Sequence, residues 1–307
     1  MDGAPPKLSV VVAVVDGGDA LARCLEALTA QEGVAEIELI VPADSRCDVR
    51  ASRALASAVQ WLALGALASE HPPESLLALH ERIDRRRAAG LAAARGEVVA
   101  LIEDRVVPRR DWARELLRAH AAHPEASVIG GAVACGASEP LARAVWACDY
   151  GRYAPPFAEG AAEQLTDVNV SYKRAALEAT RELWRERYHE STVHWQLRGD
   201  GALLWATPHA VVESARRGLT LGALLRERVA FARVFGWTRA REAALANRLV
   251  WLAFTPVLPF LLTARRIAEA AQRSALGSSF LAAVPAIFVL SAAWSLGEAL
   301  AYATGRA

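Results

Sequence analysis

The stretch Gly96–Trp112, GEVVALIEDRVVPRRDW, constrains the fold more than any other part of the chain. Its apolar run, Val98–Ile102, stops abruptly at Glu103, Asp104 and Arg105. A short continuous apolar run bounded by charge reads as a buried strand. A buried strand that ends in carboxylates delivers them to the lip of a sheet, where open α/β sheets bind their ligands. Acids there hold a divalent metal against phosphate, or act as acid or base. Arg105 bears on both roles. It can weaken a metal site by pairing with an acid, or contact phosphate directly through its guanidinium fork.

Strands and helices alternate around this stretch. Leu8–Val15 is nearly continuous in β-branched residues and breaks at Gly17-Gly18. Asp19 then suits the N-cap of a helix over Ala20–Gln31, with Leu21, Cys24, Leu25 and Leu28 on one face. Glu38–Val41 reads as a second strand, ended by Pro42 and Asp44, and Ser127–Ile129 begins another. Helices are expected over Arg50–Ala68, Arg82–Arg95, Trp112–Ala122 and Arg174–Arg187, with later strands at Asp167–Tyr172, Ala202–Ala206 and Ala210–Glu213. Residues 135–165, rich in proline, are expected to be loops. The alternation implies a mostly parallel sheet flanked by helices.

The tail differs in kind. Leu219–Ala244 reads as a basic amphipathic helix, with Leu221, Leu225, Val229, Ala232 and Phe235 at helical spacing; such a helix lies on a membrane surface or packs on the domain. Leu249–Ala264 then carries no charge for 16 residues, and 274–297 none for 24. A spanning helix needs about 20 apolar residues. The second segment qualifies; the first, with Pro256 and Pro259, is a kinked span, or a re-entrant or interfacial segment. The expected division is therefore 1–218, an interfacial helix over 219–247, and a membrane anchor over 248–307.

Composition narrows the partners. The net charge of +1 gives no bulk attraction to nucleic acid. The 4 cysteines form no CxxC pair and no metal spacing, so free thiols are expected. Leu8–Val15 is apolar for only eight residues and runs into Asp16-Gly17-Gly18-Asp19, which reads as a strand and turn and not as the apolar core of a secretory leader with a cleavage site; no GxxxxGK[ST] or GxGxxG fingerprint occurs.

In order and spacing these motifs resemble the family 2 glycosyltransferases, which have the GT-A fold. LSVVVAVVDGGDALARCLEAL resembles the family's opening strand and helix, ELIVPADSRCD its second strand, and RRAAGLAAARGEVVALIED the helix and strand that lead to its D-x-D motif. Pro108, Asp111 and Trp112 match the proline and the DW pair that come after D-x-D in the family. VIGGAV (Val128–Val133) matches the next strand, and DVNVSYKR (Asp167–Arg174) the acceptor-side segment. Departures are Ala43, Ala88, Arg105, Ser191 and Glu213 at positions where the family has other residues.

The resemblance implies a membrane-associated, inverting transferase. It would move a sugar from a cytosolic nucleotide-sugar to a lipid or lipid-linked glycan, on the cytoplasmic face of the cytoplasmic membrane. Asp44 becomes a contact to base or ribose; Asp16 does the same or is a turn residue. Glu103 and Asp104 face the diphosphate, with Mg or Mn as the candidate metal, or with Arg105 in its place. Glu190 is the candidate general base. Asn169, Lys173, Trp195 and Arg198 are the acceptor-side candidates, and His189 and His194 read as surface or core histidines. The alternative is a membrane-bound pseudo-glycosyltransferase that binds nucleotide or a partner without catalysis.

Overall fold

The computed structural model describes residues 5–33, 37–72, 74–214, 216–241, 243–273 and 276–306. They form two units, Met1–Gly136 with Tyr153–Ala215, and Ala137–Arg152 with Arg216–Ala307. In chain order the elements begin with β1 (Leu8–Ala13), α1 (Gly18–Thr29), β2 (Ile37–Ala43), β3 (Gln60–Ala63) and α2 (Leu76–Ala93). Then come β4 (Val98–Glu103), β5 (Val106–Pro108), α3 (Trp112–Ala122), β6 (Ala126–Cys135) and α4 (Pro140–Tyr150). Next are β7 (Gly160–Ala161), β8 (Asn169–Lys173), α5 (Arg174–Ala179), α6 (Arg181–Trp184), α7 (Glu190–Gly199) and β9 (Leu203–Ser214). The last four are α8 (Leu221–Ala240), α9 (Leu245–Phe254), α10 (Leu258–Gln272) and α11 (Ser278–Thr304).

The first unit is built on one mixed sheet of nine strands, ordered β3-β2-β1-β4-β8-β6-β9-β5, with β7 on β9. β3, β2, β1 and β4 form a parallel block. β8 runs antiparallel between β4 and β6, and β6 and β9 are parallel again. β1 and β4 are buried along their whole length, as their unbroken apolar runs require.

Period-2 alternation decides what faces what. Val99 and Leu101 of β4 join Val11, Val170, Tyr172 and the α2 residues Ala88 and Leu91 in one core, so Glu103 shares the α2 face. Gly90 makes this packing close. A Cβ there would lie 2.3 Å from Val11 Cγ1.

Four expectations change. Gln60–Ala63, placed in a helix over Arg50–Ala68, is an edge strand parallel to β2, behind a 3-10 helix at Arg50–Ala58. The expected helix Arg174–Arg187 breaks at Thr180, whose hydroxyl bonds back to the Ala176 and Leu177 carbonyls. The expected strands around Ala206 and Ala210 are one strand, β9, which passes Pro208 with a register shift against β6. The supposed loop at 135–165 contains α4, a helix of the second unit opened by Pro140 at its first turn.

In the second unit α8 buries Leu224, Arg228, Ala232, Gly236 and Ala240, while Leu221 and Phe235 are exposed. The buried stripe is thus the small-residue face, not the expected apolar one. The cause is close helix packing: Gly236 lies against Glu298 and Ala301, and Gly297 against Val229 and Ala232. Leu245–Gln272 and Ser278–Thr304 are each long and apolar enough to cross a membrane, with mean hydropathies of 1.5 and 1.9. The expected segments 249–264 and 274–297 fall there, residues 274 and 275 lying outside the described ones.

Candidate active site

Three parallel strands end at one lip. β1 and β4 finish in register, Ala13 beside Glu103, and Asp44 comes directly after β2. The antiparallel β8 starts there too, with Asn169 beside Ile102.

Asp104 is 1% exposed, and its carboxylate is occupied by backbone. It accepts the N–H groups of Val15 (3.0 Å), Asp16 (3.2 Å) and Gly17 (2.7 Å). It therefore ties the β1–α1 turn to the end of β4. Gly17, at φ 70°, belongs to that turn, and a Cβ there would meet the Asp48 carbonyl at 2.8 Å. Burial still pushes the Asp104 carboxyl above the ordinary range, against the pull of its N–H donors.

Asp44 Oδ1 accepts from Arg86 Nη2 (3.0 Å) and from the Arg46 N–H (3.0 Å), and Arg86 also donates to the Val14 carbonyl. Asp44 Oδ2 is buried and has no partner. A buried carboxylate oxygen of this kind costs free energy until something donates to it, so it suits a ligand hydroxyl or N–H.

Arg87, the next residue of α2, gathers acids. It donates to Asp84 Oδ1 (3.1 Å) and Glu103 Oε1 (2.5 Å), and lies 2.6 Å from Asp167 Oδ2. Asp84 is also 3.2 Å from His189 Nε2. Glu190 opens α7 and accepts the Asp167 N–H at 2.7 Å, and the two carboxyls are hydrogen-bonded to each other. Three carboxyls thus contact one guanidinium, and Glu190 joins them through Asp167. Burial pushes Glu103 up to about 7, with Arg87 pulling the other way. Burial and then Asp167 push Glu190 well above the ordinary carboxylate range. Beneath them Tyr172 bonds Tyr188 and, at 2.7 Å, His194 Nε2. Burial lowers His194 to about 4, so it is a neutral core residue.

Arg105 meets Asp16, with Nε and Nη2 at 3.0 and 2.7 Å from Asp16 Oδ1. The donor set does not fit a divalent ion. Asp104 spends both oxygens on amides, Glu103 faces Arg87, and Glu213 pairs with Arg109 at 3.1 Å. Among the described residues no group of three metal-ligating side chains occurs. The metal role expected of Glu103 and Asp104 is therefore not kept.

The acceptor-side residues divide. Asn169 is fully buried. It accepts from Trp112 Nε1 (2.9 Å) and donates to the Ala132 and Ala210 carbonyls (2.8 and 2.9 Å), because alternation along β8 turns it to the α3 face. Its amide is spent on the core. Lys173 pairs in register with Val98, at the opposite end of β4 from Glu103, and donates to the Pro124 carbonyl. Both side chains are thus engaged with the body of the domain. Trp195 is 59% exposed on α7, but five residues from Glu190 it is turned by about 140°. Arg198 donates to the Glu163 carbonyl at 3.1 Å.

Sequence reasoning missed Asp84, Arg86, Arg87 and Asp167. The signal was the acid–base run Arg82–Arg87, continued by the small residues Ala88–Gly90 that bring α2 down on the sheet.

No family model matches the chain, and no curated protein matches it. Among solved structures the fold is similar to that of "Mannosyltransferase PcManGT from Pyrobaculum calidifontis in complex with GDP-Man and Mn2+". The TM-score is 0.53 at 16% identity, over 99% of this chain and 90% of that one. At that identity the likeness is one of fold.

Proposed function

We propose that the first unit is a glycosyltransferase that moves a sugar from a nucleotide-sugar, with inversion, to a hydroxyl of a lipid or lipid-linked glycan. The second unit holds it at the cytoplasmic membrane. One observation carries the reading. A single lip holds both a buried acceptor atom without a partner, Asp44 Oδ2, and a hydrogen-bonded carboxyl pair, Glu190 with Asp167, linked through consecutive arginines. These are the two halves a transfer site needs, a nucleotide contact and a proton acceptor. The neighbouring fold with bound GDP-Man supports it.

In the reaction the acceptor oxygen attacks the anomeric carbon, and the bond from that carbon to the diphosphate oxygen breaks. The acceptor proton passes to the Glu190–Asp167 pair, and the nucleotide diphosphate leaves with the electron pair. Arg105 exchanges Asp16 for the diphosphate, a better bidentate partner. No step is routed through a metal.

A second reading keeps nucleotide binding and drops the chemistry. It is favoured by the Arg105–Asp16 pair, which closes two donor-side groups on each other. Nucleotide release from UDP-, GDP- and dTDP-sugars by detergent-solubilised protein with membrane lipid extract separates the two. Release that survives EDTA is the expected result. Binding without release would establish the second reading.

A further inference from the structure

The second unit has exposed apolar residues on its carboxyl-terminal helices, among them Leu245, Leu249, Phe254, Phe260 and Leu261. The helices pack in a defined order. Phe260 of α10 meets Phe288 of α11 at 5.1 Å, and Ser295 of α11 bonds the Thr255 carbonyl, so α9–α10 runs antiparallel to α11. α8 runs parallel to α11, with Val229 and Ala232 beside Gly297, then Gly236 beside Ala301.

α4 sets the level of the whole layer. Its segment, Ala137–Arg152, continues at both ends into the first unit. Crossing a bilayer core of about 30 Å takes about 20 residues each way, so this segment stays on the first unit's side. Three later elements touch it. Arg228 of α8 pairs with Asp149 at 2.5 Å, and Ser291 of α11 bonds the Cys148 thiol. Arg273, after α10, donates to the Arg152 carbonyl at 2.9 Å. The loop after α10 is therefore on the first unit's side, which excludes a hairpin that exports it.

Length excludes the other crossings. Beyond Arg228, α8 has only Val229–Ala240 left, about 18 Å at 1.5 Å per residue. Beyond Ser291, α11 has Ala292–Thr304, about 20 Å. Both fall short of about 30 Å. Both ends of the layer also carry arginine. The exposed Arg265, with Arg273, lies at the α4 end, while Arg239 and Arg248 bond Tyr302 at the other. A helix set upright in the membrane would sink the second group into hydrocarbon, at a cost of about 2.5–3.5 kcal/mol per arginine.

We infer that this unit is a monotopic anchor that lies in the plane of one leaflet of an anionic phospholipid membrane, its exposed apolar residues among acyl chains and the exposed arginines of its two ends among lipid phosphates. The inference rests on the proposed membrane association and narrows it. Neither apolar helix crosses, and Arg306 stays on the first unit's side. Arginine at the polar margin of an apolar helix face is the charge pattern that an anionic leaflet attracts.

The test uses the full chain in two ways. Wild-type protein is floated with phosphatidylglycerol–phosphatidylcholine vesicles beside a Leu249→Ser, Phe254→Ser, Leu261→Ser variant, whose changed side chains are exposed. The wild type floats and the variant stays in the dense fraction; a variant that floats equally overturns the proposed surface. Green fluorescent protein or alkaline phosphatase is then fused after the last residue in a bacterial host. Fluorescence with a silent phosphatase is expected. An active phosphatase means a helix crosses, which overturns this inference and leaves membrane association standing. Wild-type protein that does not float removes membrane association itself.

Discussion

Arg86 and Arg87, consecutive on α2, hold opposite halves of one lip. Arg86 bonds Asp44 and the Val14 carbonyl, at the ends of β2 and β1, while Arg87 bonds Glu103 on β4 and pairs with Asp167 ahead of β8. Consecutive helical residues diverge by about 100°, so one turn of α2 serves the nucleotide half and the proton-accepting half of the proposed site together.

Arg87 is the sole guanidinium that the structure pairs with both Glu103 and Asp167 among the described residues. Arg87→Ala leaves buried carboxylates without a countercharge. Breaking a buried pair in this way costs about 3–5 kcal/mol. A large drop in the thermal midpoint of detergent-solubilised protein is expected, with transfer abolished. Arg87→Lys keeps the charge but not the fork, and recovers only part of the stability.

Asp104 serves the backbone. Asp104→Asn replaces one acceptor oxygen with a donor that faces N–H groups, at a cost of about 1–3 kcal/mol. Denaturant unfolding measures that cost, and added Mg or Mn leaves it unchanged. A gain in midpoint with metal in the wild type, lost in the variant, would restore the metal role.

Asn169 separates a core role from an acceptor role. Asn169→Ala strands the Trp112 N–H and the Ala132 and Ala210 carbonyls, each worth about 1–3 kcal/mol when buried. Stability falls steeply, while the KM for acceptor in the protein that remains folded is unchanged. A normal midpoint with a raised KM would return Asn169 to the acceptor side.

Glu103 gives a pH signature. Its folded value of about 7 lies above its ordinary 4.5, so the folded state holds the proton more tightly than the unfolded chain. The stabilisation is present below 4.5 and is lost as pH rises through about 7. Unfolding free energy should therefore fall over that window, and Glu103→Gln should flatten the fall.

The parallel block and its lip were legible because β1, β2 and β4 are apolar runs that end at acids, a pattern that depends only on neighbours in the chain. Asp44 and Glu103 could be named for the same reason, and Glu190 through the family resemblance alone. Arg86, Arg87 and Asp167 could not, because their roles depend on how closely α2 approaches β1, which Gly90 sets through a tertiary contact. Asn169 misled for a related reason. The pattern places it beside the lip, but its face depends on one residue of register in β8. The proposed anchor was visible as apolar length, yet its level relative to α4 came only from Asp149, Cys148 and Arg152, in a stretch without helical periodicity.

The central claim is that the Glu190–Asp167 pair takes the acceptor proton. Steady-state transfer and calorimetric donor binding, measured side by side on wild-type and Glu190→Gln protein once a donor is found, test it most directly. The account predicts that kcat falls at least about 100-fold, the usual scale for a lost general base, while donor Kd stays within a few-fold. It also predicts that the acid limb of the wild-type pH profile lies above the ordinary carboxylate range, as burial and Asp167 require. Near-normal turnover in Glu190→Gln, with donor binding intact, would contradict it.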